Sequence, residues 1–217
     1  MKYWIITAMP EEAQHIINKF WLEKYKSLQN INFFKNPDIT LVLTGIGKIQ
    51  ASCGTTLLLK ESSFEKIINI WIAWNTLHNK EAKAWDVFLI KKVYQHDIIM
   101  PFEGEHLNYF TNPININIPD IVKNFEFQIF EWICATWDQF ISDKNLLSKI
   151  VEKTKADVVE MEAFAVASVC REFWILDKLN IIKSISDSAD ENALVDQEKN
   201  LNLAMKNSIK VLESILV

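Results

Sequence analysis

Apolar segments of strand length alternate with helical segments along the whole chain, and this order limits the possible folds more than any other feature. The predicted strands are 2–8, 30–35, 38–44, 66–73, 86–94, 130–136 and 179–187, and the predicted helices are Pro10 to about Phe20, 49–59, 144–153, 161–173 and 193–215. Such alternation is typical of α/β layering, in which helices cover a central sheet. Residues 97–127 are loop-rich. Without an internal repeat or a linker, the sequence predicts one domain over residues 1–217.

Composition excludes several classes of protein. Hydrophobic residues make up 49% of the 217 residues, which argues against disorder, and the net charge of -5 argues against nucleic acid as a partner. The N-terminus MKYWIITAMPEE reaches acidic residues too early for a signal peptide, and no apolar run approaches the length of a membrane span. We therefore expect a cytoplasmic protein without a membrane partner.

The cysteines and histidines do not suggest a metal site. Cys53, Cys134 and Cys170 are far apart, and the four histidines are scattered. Buried, reduced, structural thiols are the simplest interpretation. We expect no metal and no cofactor.

Acidic residues follow three of the apolar runs. Glu11 and Glu12 come after the first strand, Glu160 and Glu162 open a nearly all-apolar helix, and Asp187 ends a buried strand. Taken singly, each has an ordinary explanation: the helix dipole, a lysine partner or a helix cap. Together they lie at strand ends, where α/β proteins bind ligands. Carboxyl groups meeting in one cleft favour general acid–base chemistry on a neutral polar substrate.

The balance of glycine and tryptophan is unusual for such a fold. The chain has 4 glycines and 8 tryptophans, whereas an average share of glycine is about fifteen residues in a chain of this length. Strand-to-helix turns of α/β proteins need glycine where φ is positive. The supply is too small for the fold that the rest of the sequence predicts.

Five motifs taken together resemble those of the purine nucleoside phosphorylase and hydrolase superfamily, and most closely its 5'-methylthioadenosine/S-adenosylhomocysteine nucleosidases. They are IITAMPEE, TGIGK, CATWDQFI, VVEMEAFAVA and SISDSAD, in this order over nearly the whole chain. The resemblance implies a single nucleoside phosphorylase-like domain with a central twisted mixed sheet flanked by helices. It also implies a homodimer, a small nucleoside substrate and no cofactor.

The resemblance also addresses the tryptophans, because the family pattern has glycine at most of their positions. The eight residues are Trp4, Trp21, Trp71, Trp74, Trp85, Trp132, Trp137 and Trp174. Glycine at all eight would give an ordinary share. We hypothesise that the gene comes from an organism that reads UGA as glycine and was translated with UGA as tryptophan. The alternative is that the tryptophans are genuine and the site is remodelled.

For the reaction, the resemblance implies hydrolysis of the bond between adenine N9 and ribose C1'. Asp187 is then the general acid that protonates N7 of adenine, and Glu12 is the base that activates water. Glu162 accepts hydrogen bonds from the ribose hydroxyls, and Met161 packs on the ribose. Ser186 helps to orient the acid.

Further positions are assigned to substrate binding in the same way. Phe140 stacks on the purine, and the backbone of Ile141 bonds the edge of the base. Ile72, Ala73 and Trp74 lie in the stretch where the family's backbone passes close to base and ribose. Ile72 replaces a serine of some members, which puts one contact in doubt.

Two further departures leave the chemistry open. Lys183 stands where some members have arginine, and Gln197 falls where an aromatic residue often lines the pocket for the 5' group. A phosphate-dependent phosphorylase is one alternative, although the single arginine of the chain, Arg171, lies away from the motif ends. A catalytically impaired purine-binding relative is another, if the tryptophans are genuine. Futalosine hydrolysis and AMP cleavage also stay open.

The pair His96-Asp97 invites comparison with part of a catalytic triad. No GxSxG motif accompanies it. The sequence therefore does not favour a triad enzyme.

Overall fold

The computed structural model describes residues 2–61, 63–76, 82–83, 85–102, 104–121, 125–139, 143–187 and 193–216. In these residues the strands are β1 (Tyr3–Thr7), β2 (Glu23–Leu28), β3 (Ile31–Lys35), β4 (Ile39–Leu43), β5 (Lys66–Asn75), β6 (Val87–Gln95), β7 (Ile114–Asn115), β8 (Ile129–Thr136), β9 (Val158–Glu160) and β10 (Leu179–Asp187). The helices are α1 (Pro10–Phe20), α2 (Lys48–Leu58), α3 (Asn108–Thr111), α4 (Lys144–Thr154), α5 (Ala163–Glu172) and α6 (Ala193–Ile215).

The sheet is mixed and has an open part and a closed part. In the open part the strand order is β2-β3-β4-β1-β5, with β1 parallel to both β4 and β5. Beyond β5 the strands close on themselves. Strand β5 pairs with β10, β10 with β6, β6 with β8, β8 with β9, and β9 again with β5. This closure brings the ends of β9 and β10 to the carboxyl end of β5.

Helices cover both faces of the sheet. On one face α1 and α6 pack against it through side chains such as Ile16 and Met205. On the other face α2 and α5 contribute Ala51 and Val166 to a second core cluster. The predicted α/β fold with a mixed sheet flanked by helices is therefore confirmed.

Three strands were not predicted from the sequence, and the shortest of them, β7, has only 2 residues within the stretch 97–127 that was predicted to be loop-rich. Strand β2 is an edge strand whose residues are half-buried or exposed, so it lacks the apolar run by which a buried strand is recognised. Strand β9 has only 3 residues, and the sequence predicts only that they lead into helix α5. All three differences lie where local hydrophobic periodicity is weakest.

Three tryptophans have positive φ: Trp21 at 50°, Trp85 at 71° and Trp174 at 58°. This region suits glycine because a Cβ crowds the backbone there. Trp21 and Trp174 also follow the ends of α1 and α5, and are 85% and 92% exposed. Neither position is explained by burial of the indole.

The hydrogen bonds after α1 and α5 identify a common helix ending. After α1, the N–H of Leu22 donates to Ile17 O at 3.0 Å. After α5, the N–H of Ile175 donates to Cys170 O at 2.9 Å. Both bonds span six residues, as in the Schellman motif, whose left-handed position is usually glycine. Trp21 and Trp174 occupy that position.

Four other tryptophans are buried in the described structure. Trp4 stacks on Phe64 with ring centroids 3.8 Å apart, and Trp132 stacks on Phe88 at 3.9 Å. Trp71 and Trp74 are buried at the end of β5. These four indoles fill space, and their backbones do not carry the left-handed signature of the exposed three.

The cysteine prediction was partly wrong. Cys134 and Cys170 are buried, and burial raises the pKa of the Cys170 thiol to about 12. Cys53 is exposed, because it lies on the solvent-facing side of α2. All three are free thiols.

The described residues contain neither a candidate metal site nor a helix that could span a membrane. Among them, no group of three or more histidine, cysteine or acidic side chains is arranged to hold a metal ion. Within the same part of the chain, no helix combines the length and the apolar character needed to cross a membrane.

Candidate active site

A cavity of about 240 Å³ lies where β1, β5 and β9 end. Its described lining residues come from four segments of the chain and are Ala8, Met9, Glu12, Ile46, Trp71, Ile72, Trp74, Glu160, Met161 and Glu162. The cavity thus brings together two of the three acidic motifs of the sequence, and its described lining carries three carboxyl groups and no cationic side chain.

Glu12 enters the cavity from the first turn of α1, which Pro10 opens. Its Oε2 accepts hydrogen bonds from Thr7 Oγ1 and from the N–H of Met9, both at 3.1 Å. Its Oε1 accepts from the N–H of Ile72 at 3.2 Å. Helix α1 and strand β5 therefore fix the carboxyl group between them.

Burial raises the pKa of Glu12 to about 7, because the charged form loses water that its neighbours only partly replace. Its three hydrogen bonds and the positive charge of Lys183 favour the ionised form and oppose this rise. A carboxyl group that titrates near neutral pH is suited to accept a proton from water.

Glu160 is the centre of a buried polar cluster beside the cavity. Its Oε2 accepts from Lys183 Nζ at 2.9 Å and from Trp71 Nε1 at 3.0 Å. Its Oε1 accepts from Thr136 Oγ1. Lys183 has no exposed side-chain surface. Burial alone would raise the pKa of Glu160, but the charge of Lys183 and the hydrogen bonds from Thr136, Lys183 and the N–H of Ala163 lower it. Glu160 is therefore held as the ionised partner of Lys183.

Glu162 is the third carboxyl group and is only 4% exposed. Its Oε1 accepts a hydrogen bond of 2.7 Å from the N–H of Gly47, which precedes α2. Burial, followed by the nearby negative charge of Glu160, raises the pKa of Glu162 to about 8, and the Gly47 bond opposes that rise. Glu162 therefore links the backbone that precedes α2 to the lining of the cavity.

The indoles of Trp71 and Trp74 form part of the cavity wall. The ring of Trp71 also lies 3.6 Å from the ammonium of Lys183, as a cation–π contact. Both indoles take up volume that glycine at these positions would leave open. In the chain as printed they reduce the size of the cavity.

The predicted site residues fall into three groups. Glu12, Ile72, Trp74, Met161 and Glu162 line the cavity together. Ala73 is fully buried in the core and its side chain does not line the cavity.

The remaining predicted residues lie wholly or partly outside the part of the chain that the structure describes. The backbone of Asp187 pairs with Trp74 at the end of β10, after a bulge, and Ser186 precedes it. The side chains of both lie outside the described residues, as do Phe140 and Ile141 altogether. Their roles stay predictions.

Sequence reasoning did not assign a role in the site to Glu160 and Lys183. The available signal was Lys183 itself, a charged residue inside the apolar strand 179–187. A buried ammonium requires a carboxylate partner, and Glu160 was the acidic residue without an assigned function.

Arg171 lies away from this cavity, as predicted. Its guanidinium stacks on Tyr109 at 3.8 Å and its Nη1 donates to Tyr109 O at 3.0 Å. A phosphate dianion in the cavity would meet carboxyl groups and, close by, an ammonium already paired with Glu160. The described site does not contain the cationic clamp that phosphate binding uses.

Comparison with known proteins agrees with this geometry. The chain is 32% identical, over all of its length and 96% of the relative's, to a 5'-methylthioadenosine/S-adenosylhomocysteine nucleosidase of Buchnera aphidicola. It is 26% identical, over 99% of its length and 98% of the relative's, to an aminodeoxyfutalosine nucleosidase of Helicobacter pylori.

A solved structure shows the same fold. It is a 5'-methylthioadenosine/S-adenosylhomocysteine nucleosidase from Helicobacter pylori with butyl-thio-DADMe-Immucillin-A, at a TM-score of 0.81 and 26% identity, covering 100% of this chain and 97% of that one. The sequence model of a protein family, the phosphorylase superfamily, matches residues 2–217 of this chain. With its mixed sheet, its cavity at the strand ends and its buried carboxyl groups, this chain belongs to the phosphorylase superfamily.

Proposed function

We propose that this protein is an N-glycosidase that hydrolyses 5'-methylthioadenosine and S-adenosylhomocysteine, releasing adenine and the 5-thioribose product. The observation that carries the proposal is the position of Glu12, a buried carboxyl group with a pKa of about 7 in a cavity that also contains Glu162. The nucleosidases among its relatives support the same class of reaction.

In the proposed reaction, the bond between C1' of the ribose and N9 of adenine breaks and water attacks C1'. Ionised Glu12 takes a proton from the water as its oxygen bonds to C1'. Asp187 gives a proton to N7, so that adenine leaves as a neutral base. Because burial raises the pKa of Glu12 to about 7, its carboxylate is an efficient base near neutral pH.

The remaining residues bind and orient the nucleoside. In its ionised form Glu162 accepts hydrogen bonds from the ribose hydroxyls and stabilises the positive charge that develops on the sugar. Met161 packs on the ribose, while Phe140 and the backbone of Ile141 hold the adenine. Ser186 orients Asp187.

Water is favoured over phosphate as the nucleophile by the charge of the site. Three carboxyl groups line the described cavity, and the nearby Lys183 is neutralised by Glu160. The oxygen of a water molecule attacks without adding negative charge to this cluster. A phosphorylase would need to bring a dianion to the same place.

We also propose that the natural protein carries glycine at the eight tryptophan positions. The left-handed backbones of Trp21, Trp85 and Trp174 support this. At the cavity, glycine in place of Trp71 and Trp74 would make room for base and ribose. The mass of the protein isolated from its own organism is the direct test, and a mass matching eight tryptophans would exclude reassignment.

We also propose an oligomeric state and a cellular location. A homodimer is supported by exposed apolar side chains, with Ile99 84% and Phe102 58% exposed, and by Ile46 of the cavity lining, which is 54% exposed. Light scattering of the purified protein measures this directly. Cytoplasmic location agrees with the free thiols.

The substrate assay compares two chains: the printed chain, which has the eight tryptophans, and the glycine-restored chain, which has glycine at all eight positions. Each is incubated with 5'-methylthioadenosine, S-adenosylhomocysteine, aminodeoxyfutalosine, adenosine and inosine, with and without phosphate, and base release is measured by chromatography. We expect phosphate-independent release of adenine, fastest from the two thio-nucleosides. A strict phosphate requirement would overturn hydrolysis, and preference for aminodeoxyfutalosine would reassign the substrate.

A further inference from the structure

Lys48 is the centre of an ion-pair cluster next to the cavity. Its ammonium donates to both carboxylate oxygens of Asp97, at 2.7 and 2.6 Å, and lies 3.6 Å from Asp138 Oδ2. The side chains of Lys48 and Asp97 are each only 16% exposed. This partial burial makes the pair less subject to solvent screening than an exposed one.

The backbone of Lys48 belongs to the same cluster. Its N–H donates to Asp138 Oδ1 at 2.8 Å, and the N–H of Asp138 approaches Asp97 Oδ2 at 3.4 Å. Asp97 follows β6 and Asp138 follows β8. One lysine thus ties the first residue of α2 to the ends of two strands.

The residue before Lys48 makes the contact with the site. Gly47 has φ 94°, and its N–H donates to Glu162 Oε1 at 2.7 Å. A Cβ at this position would stand 3.3 Å from Asp138 Oδ1. The direction of the Gly47 N–H is therefore set by a positive-φ backbone that glycine adopts readily and that the Asp138 and Lys48 contacts hold in place.

The other end of the same loop is fixed separately. The N–H of Thr44 donates to Thr7 O at 2.9 Å, and that of Gly45 to Ala8 O at 3.1 Å. The loop between β4 and α2 is thus anchored to β1 on one side and to β6 and β8 on the other.

From this geometry we propose that Lys48, with Asp97 and Asp138, is a positioning residue that fixes the Gly47 N–H and through it the carboxylate of Glu162 against the ribose hydroxyls. Lys48 does not line the described cavity and acts through Gly47. The proposal rests on the proposed role of Glu162 in ribose binding.

The test compares each variant on a ribonucleoside and on its 2',3'-dideoxy analogue, in whichever of the two chains, printed or glycine-restored, is more active. Lys48→Met should lower kcat/KM for 5'-methylthioadenosine about tenfold, as expected for loss of a charge-assisted hydrogen bond. It should leave kcat/KM for the dideoxy analogue nearly unchanged, because that substrate has no hydroxyl for Glu162 to hold. Lys48→Arg keeps a donor for Asp97 and should restore most of the discrimination.

Lys26→Met is the matched control, because it removes another lysine that is paired with a glutamate at 2.6 Å, in the edge strand β2 and outside the described lining of the cavity. It should leave the discrimination unchanged. An equal loss on both substrates in Lys48→Met would show a general structural role and overturn the proposal.

Glu162→Gln separates this inference from the proposed function. If Glu162→Gln retains full discrimination between the two substrates, the role of Glu162 in ribose binding is wrong. If Glu162→Gln loses it and Lys48→Met retains it, the role of Glu162 stands and the positioning role of Lys48 is wrong.

Discussion

Replacing Trp21 and Trp174 by glycine should stabilise the folded protein. Both residues have left-handed backbones, with φ of 50° and 58°, and both indoles are more than four-fifths exposed, at 85% and 92%. A residue with a Cβ pays about 1–2 kcal/mol in this conformation. The larger conformational entropy of unfolded glycine offsets roughly 0.5–1 kcal/mol of the gain.

The net gain is therefore about 0.5–1 kcal/mol at each position. The two positions follow different helices, α1 and α5, so their effects should add to about 1–2 kcal/mol. For a domain of this size that corresponds to a rise in Tm of roughly 2–8 °C. The double variant and each single variant are measured by calorimetry and by urea unfolding.

Alanine variants at the same two positions isolate the cause. Trp21→Ala and Trp174→Ala remove the indoles but keep the Cβ, so they should gain little. Lys155→Gly is a positive control that should also raise stability, because Lys155 directly follows α4 and has the same left-handed backbone, with φ 55°. Equal stability of the glycine and alanine variants would show that backbone strain is not the cause.

Four further predictions concern the site. Glu12→Gln should lower kcat about 10²–10⁴-fold, as for loss of a general base, while the neighbouring exposed Glu11→Gln should change it little. Because Glu12 must be ionised and its pKa is raised to about 7, kcat/KM should rise with pH through that value, and a kcat/KM that no longer rises above pH 5 would contradict this. Since the pKa of Glu162 is raised from 4.5 to about 8, its neutral form stabilises the fold below pH 4.5, and this contribution is lost as pH rises to about 8. Glu162→Gln should therefore unfold at higher urea concentration than the parent at pH 8.5, with no such difference at pH 4. Trp71→Gly with Trp74→Gly should raise kcat/KM for 5'-methylthioadenosine, measured as adenine release, and an unchanged value would show that the indoles do not obstruct the substrate.

Much of this protein could be read from local sequence. The periodicity of apolar residues located α1, β5, β10 and α6 because it records which face of each element is buried. Pro10 and Glu12 marked the start of α1 through ordinary helix N-terminal chemistry. The motifs indicated the family and the candidate acidic residues of the site. The ratio of tryptophan to glycine indicated that the sequence has too few glycines for the predicted fold.

The tertiary structure alone decided how these pieces meet. Closure of β5 through β10, β6, β8 and β9 depends on pairing between distant strands, which local periodicity does not encode. The same is true of the hydrogen bond from Gly47 to Glu162, which joins residues far apart in the chain. It also holds for the burial of Lys183 against Glu160, since each charge loses water on burial and only the partner compensates for that cost. Sequence named the ionisable groups, and only the folded chain determined their neighbours and hence their charges.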